Sequence, residues 1–252
     1  MSVRTAGTGG IRAIALHGWF GAGNSWDPTV AWLDPSTYTV AMPDYRGYGD
    51  RIGDRGEYTL AEIAADTLAL ADELGWESFD LIGHSMGGKA AQLIAATAPA
   101  RVRRVVAVTP VPPGPLPFDD ATREVFRGAA TDMEKRAQII ASSTGHRNSQ
   151  TFVDTVIAQS RQSRTDAFAG YFESWVGDDI TAQVDGATVP IMVVAGEHDN
   201  ALTADTMRAA LLPYYRNAEL QVIAAAGHYP IFETPVALAT AIDSFLNREE
   251  TR

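Results

Sequence analysis

The chemistry of this chain converges on one serine. Gly83-His84-Ser85-Met86-Gly87 has the form G-x-S-x-G. The pattern by itself is weak. Its setting is strong, because an apolar run (79–82) leads straight into it and a helical pattern follows. A serine on a sharp strand-to-helix turn lifts its hydroxyl clear of a sheet and faces the amides of the helix N-terminus, where developing negative charge is stabilised. Small residues must flank such a turn, and Gly83, Gly87 and Gly88 do. A serine hydroxyl also needs a base. The histidines are His17, His84, His146, His198 and His228. His17 ends the first apolar run, His84 sits inside the turn and His146 lies in a region of helices. His228 follows the last apolar run, in a loop expected at the same sheet edge as Ser85, so it is assigned as general base and then general acid. Asp199, in Gly196-Glu197-His198-Asp199, follows another apolar run and is assigned as the group that orients the base. Glu197 competes with it, whereas Asp205 reads better as a carboxylate in a helix's first turn. Two backbone amides should receive the oxyanion, from Met86 and from the loop after the first strand. Trp19 is chosen there, with Phe20 as the alternative.

These residues need a sheet whose strands end along one edge. Apolar runs at 11–16, 38–42, 79–82, 105–108, 191–195 and 220–224 are short, apolar on both faces and bounded by turn residues, as buried parallel strands are. Helical patterns lie between them. Residues 59–74 are the clearest: Thr59 and Glu62 make a capping-box pair, Gly75 stops the helix, and Leu60, Ile63, Ala64, Thr67, Leu68 and Ala71 line one face. Residues 86–96 and 235–246 read the same way. The alternation predicts an α/β protein, a mostly parallel central sheet with helices on both faces. One region departs from it. TPVPPGPLP at 109–117 can hold neither a helix nor a central strand, and helical patterns then run on to Val189. The chain therefore divides into a sheet domain, 1–109 and 189–252, and a helical cap, 110–188, expected near the sheet's carboxyl edge as a lid over a crevice.

The composition narrows the partners. Net charge is −11, which repels nucleic acid and anionic membranes at long range. Cysteine is absent, which excludes disulfides and thiolate metal sites. No His-x-x-x-His pair occurs, so neither metal nor organic cofactor is expected. The Gly-rich stretch at 18–23 lacks the order of a dinucleotide-binding turn. No apolar run is long enough to span a bilayer, and the first residues have no apolar signal region. A cytoplasmic protein is expected, with its oligomeric state left open. The cap contributes Phe118, Phe126, Met133, Ile139, Phe152, Phe168, Tyr171, Phe172 and Trp175. Most should form its own core. Phe118, Phe126 and Trp175, with Phe20, Trp26 and Tyr229, are the candidates to line an apolar pocket. Arg161 and Arg164 read as a solvated helix face.

The motifs LHGW (16–19), DYRGYG (44–49), GHSMGGK (83–89), GEHD (196–199) and GHYPIFETP (227–235) together resemble the α/β-hydrolase superfamily, in its small cofactor-free esterase and lactonase branch. They span most of the sheet domain, in the family's order. The resemblance implies that Asp44 and Arg46 brace the loop near the oxyanion site and that Glu233 and Pro235 begin the last helix. It also implies an acyl-enzyme route at Ser85, because dehalogenases and epoxide hydrolases of this fold carry Asp at that position. A small, largely apolar ester or lactone is the expected substrate. A carbon–carbon hydrolase acting on a diketone is the alternative, although such enzymes usually carry a glycine run that LHGWFG lacks. A hydrolase-fold ligand receptor is the third reading. Members often place two strands before the LHG strand, and the ten residues ahead of Ile11 are short for both, so one or both are expected to be missing.

Overall fold

A computed structural model describes residues 3–249; the outermost residues of the expected sheet domain, 1–2 and 250–252, lie outside these. Seven strands form one sheet: β1 (Arg4–Ala6), β2 (Ile11–Leu16), β3 (Tyr38–Met42), β4 (Phe79–His84), β5 (Val102–Val108), β6 (Ile191–Gly196) and β7 (Ala218–Ile223). Their order in space is β1-β3-β2-β4-β5-β6-β7. Only the β1–β3 pair is antiparallel. One strand, β1, therefore precedes the LHG strand. The expectation of apolar faces holds for β2 through β6, whose inner residues are buried. It fails for β7, an edge strand whose Gln221 and Val222 are exposed.

Because β2 to β7 run in parallel, their carboxyl ends share one edge. From β2 the chain moves outward to β3, then returns to β4 on β2's other side. The loops leaving β2 and β4 consequently diverge and open a crevice between them, the usual ligand position in such sheets.

Helices cover both faces. The first is a single turn, α1 (Asp27–Val30). Next, α2 (Leu60–Glu73) starts at Thr59, whose hydroxyl accepts the Glu62 amide. The reciprocal half of the capping box is displaced: the Glu62 carboxylate takes the Glu57 and Tyr58 amides instead. Buried along most of its length, α3 (Met86–Thr97) packs on β2, β4 and β5. Five helices then lie between β5 and β6: α4 (Asp120–Gly128), α5 (Met133–Ser143), α6 (Gln150–Ser160), α7 (Thr165–Gly177) and α8 (Thr181–Val184). Phe168, Tyr171 and Phe172 of α7 are buried. The buried guanidinium of Arg136 stands 3.9 Å over the Phe168 ring and donates to the carbonyls of Ala129 and Ser160. Three more helices follow β6 and β7: α9 (Ala204–Ala210), α10 (Pro230–Glu233) and α11 (Pro235–Leu246).

Candidate active site

Ser85 joins β4 to α3 with φ 55° and ψ −115°, a conformation that non-glycine residues rarely adopt. The turn is held from outside. Ser85 donates its amide to Val108 O, and its carbonyl accepts the amides of Gly88 and Val111. The flanking glycines are required by space. A Cβ at Gly87 would stand 2.5 Å from Leu16 O, and one at Gly83 would collide with Gly87 O.

The structure brings the three expected side chains together. His228 Nε2 lies 3.0 Å from Ser85 Oγ, and His228 Nδ1 lies 2.7 Å from Asp199 Oδ2. The other Asp199 oxygen accepts the amides of Ala201 and Leu202, each at 2.9 Å. Burial alone would push this carboxyl up, but His228 and the two amides outweigh it and hold Asp199 below the usual carboxylate range. The competing carboxylates point elsewhere: Glu197 accepts the Ala225 amide, and Asp205 is exposed and paired with Arg208. Two other histidines near the site are held neutral. Burial, with some repulsion from His228, pushes His84 down to about 3. Burial pushes His17 down to about 4, although Asp44 opposes it.

Sequence reasoning missed what holds His228 in place. Glu233 does not begin the last helix; it ends α10, and its buried carboxylate takes the Gly227 amide at one oxygen and the Tyr229 amide at the other, both at 2.9 Å. The reason is the closeness in sequence, since one short helical turn folds the side chain back over the loop. His228 gives its own amide to Ser143 O, and its carbonyl accepts from His84 Nε2 and Thr109 Oγ1. Asn148 and Arg147, from the α5–α6 loop, complete the Glu233 site.

Met86 is the first residue of α3, so its amide is one of the helix's free N-terminal donors. Trp19 and Phe20 flank the same space in the loop after β2. That loop is braced by Asp44, which accepts the amides of Gly23 at 2.6 Å and Asp50 at 2.9 Å. Arg46 does otherwise, binding Asp66 and Glu62 and so tying its own loop to α2. Trp19 is also fastened to α7: Nε1 donates to Phe168 O at 2.7 Å, and the two rings stack.

A cavity of about 330 Å³ opens on Ser85 and His228. Phe20, Phe118, Phe126, Trp175 and Tyr229 line it, joined by Leu116, Ile139 and Leu202. Apart from the histidines and the Tyr229 phenol, no ionisable side chain of the described residues lines it. Trp26 is a correction. It ends the short turn Gly23–Trp26, is fully buried in the core and forms no part of this wall. Arg161 is exposed and Arg164 is engaged with Asp166, away from the cavity. Among the described residues, no cluster suits a metal ion and no helix is long and apolar enough to cross a membrane.

A family model described as the alpha/beta hydrolase fold matches residues 14–235. The chain is 28% identical over 235 residues to the dihydrolipoyllysine-residue acetyltransferase component of an acetoin cleaving system from Cupriavidus necator, covering 88% of this chain and 60% of that one. It is 27% identical to a pimeloyl-[acyl-carrier protein] methyl ester esterase of Salmonella agona, covering 95% of each. Against two of its curated relatives, the acetyltransferase component among them, the chain spans only 60% and 41% of their length. Among solved structures it is similar to the enol-lactonase from Burkholderia xenovorans, with a TM-score of 0.85, 22% identity and coverage of 98% and 96%.

Proposed function

The chain belongs to the alpha/beta hydrolase family, and from this premise we propose that it is a serine hydrolase cleaving a carboxylic ester or lactone through an acyl-enzyme. The observation that carries the reading is the unbroken contact from Ser85 Oγ through His228 to Asp199, at 3.0 and 2.7 Å. Ser85 Oγ attacks the carbonyl carbon as His228 Nε2 takes its proton. Asp199 keeps Nδ1–H in place and stabilises the imidazolium. The amides of Met86 and Trp19 receive the oxyanion. His228 returns the proton to the departing oxygen. Water, deprotonated by His228, then attacks the acyl-enzyme, and His228 returns that proton to Ser85 Oγ as the acid leaves. An alternative donor to Trp19 is the Phe20 amide.

The cavity supports a small, largely apolar substrate, because an uncompensated charge buried against these walls is costly. Residues 110–188 act in this reading as a cap, since Phe118, Phe126 and Trp175 wall the cavity from that side.

Hydrolysis of p-nitrophenyl esters from acetate to decanoate, by the wild type and Ser85→Ala, tests the reading. We expect the variant to lose about three orders of magnitude or more in kcat/KM. Equal rates overturn the assignment of the nucleophile. An intact protein that hydrolyses no ester in the series overturns the simple-ester form and turns the search to lactones and diketones.

A further inference from the structure

The proline-rich lead into the 110–188 insert has a hydrogen-bonding problem. Pro110, Pro112, Pro113, Pro115 and Pro117 supply no amide donors, so the segment joins no helix or strand, yet its carbonyls still need partners. The helix that carries Ser85 provides two of them. Gln92 Nε2 donates to Val111 O at 3.0 Å. Lys89 Nζ donates to Gly114 O at 2.9 Å. The same ammonium reaches the far end of α7, donating to Trp175 O at 3.2 Å and Asp178 O at 2.6 Å. Its three N–H groups thus meet three main-chain carbonyls.

Lys89 is fully buried one turn after Ser85. A buried ammonium is costly, and the three carbonyls that would otherwise lack donors offset that cost. What remains to be explained is why these particular main-chain points are joined to this helix. The cavity wall supplies the reason. Leu116 and Phe118 follow Gly114 directly, and Trp175 is itself a lining residue. The two walls also meet each other, through Leu116 N–H to Val176 O at 2.9 Å. Resting on the serine-hydrolase reading, we propose that Lys89 is a positioning residue for the substrate pocket, tying both ends of the insert to the nucleophile's helix and so setting the distance from Ser85 to the Leu116–Phe118 and Trp175 walls. Substrates long enough to touch those walls depend on it; acetyl esters do not.

The charged groups facing Lys89 are the carboxylates of Asp178 and Asp179. Asp178 is engaged by the Ser174 hydroxyl, which in turn accepts the Leu60 amide at 2.9 Å. Burial, opposed by both aspartates, pushes the Lys89 amine down to about 8. Once neutral, the amine has two N–H groups for three carbonyls, and one wall loses its tie.

Lys89→Met tests this with two readouts. The first is the ratio of kcat/KM for p-nitrophenyl octanoate to that for the acetate. The second is the Kd of the neutral probe N-phenyl-1-naphthylamine, followed by its fluorescence. We expect the ratio to fall about tenfold or more through KM for the octanoate, with acetate turnover within about threefold, and the probe to bind about tenfold more weakly. An unchanged ratio and Kd, or an equal loss for both esters, overturns the proposal. If Lys89→Met does not fold, the wild type decides. A ratio falling between about pH 7 and 9.5 supports the proposal and a flat one overturns it. Should no ester be hydrolysed while the probe weakens in the variant, the ester reading fails and the pocket role stands.

Discussion

His228 is gripped on both sides of its own peptide. Glu233 holds the neighbouring amides, and Ser143, His84 and Thr109 hold the histidine's amide and carbonyl. Displacing a reacting group by about 1 Å can cost about a hundredfold in rate. We therefore expect Glu233→Ala to lower kcat about tenfold to a hundredfold with KM within about twofold. Glu233→Gln, which keeps one acceptor of two, should recover part of that loss. A change in KM alone would sink the positioning role. The sequence shows why Glu233 escaped notice: it stands five positions after His228, and a Glu just ahead of Pro235 at a helix start looks like ordinary first-turn chemistry. By contrast, Ser85, Asp199 and His228 were legible because each closes an apolar run, and parallel strands deliver such positions to one edge.

At the scale of elements, the turn between β4 and α3 is set by close approach. Gly87→Ala would place a methyl 2.5 Å from Leu16 O and 2.6 Å from His17 O, both main-chain atoms of the neighbouring strand's end. Since backbone cannot give way cheaply, α3 must move off β2. We expect a loss of about 1–3 kcal/mol in urea unfolding, together with a drop in ester hydrolysis as the Met86 amide shifts from Trp19. Wild-type stability in that variant would show that the contact relaxes without strain. The buried strands were readable because residues apolar on both faces have few other places to go. Edge strand β7 was misread for the complementary reason: Leu220, Val222 and Ile223 look apolar in sequence, but with no strand beyond β7 its far edge carries no neighbour.

Across the whole molecule, buried neutral histidines dominate the response to acid. His17 and His84 have folded values of about 4 and about 3, against 6.5 for an unhindered imidazole. Below 6.5 the unfolded chain binds protons that the fold refuses, so stability is fully present above that pH and is lost as pH falls toward 4 and 3. Asp199, and Asp66 held low by Arg46 and Arg51 against its burial, extend the loss into the carboxylate range. Asp80, pushed up by burial, opposes them. The urea midpoint should fall between about pH 6.5 and 4.5, and less steeply in His84→Gln. A midpoint flat over that interval would refute the account.

Residue types and their order along the chain determined the strand–helix alternation, the run of helices after β5, and the choice of Ser85, His228 and Asp199 as candidates. Those properties are local, set by periodicity, turn chemistry and the flanks of each apolar run. Tertiary structure alone decided which side chains meet. Trp26 went to the core while Ile139 and Leu202 reached the cavity. Glu233 turned back over the His228 loop, and Lys89 bonded α3 to Gly114 and Asp178. The Lys89 contacts join residues up to eighty-nine positions apart, so packing and the demand of buried carbonyls for donors set them, whereas the Glu233 contacts are close in sequence but depend on how one short helical turn folds back.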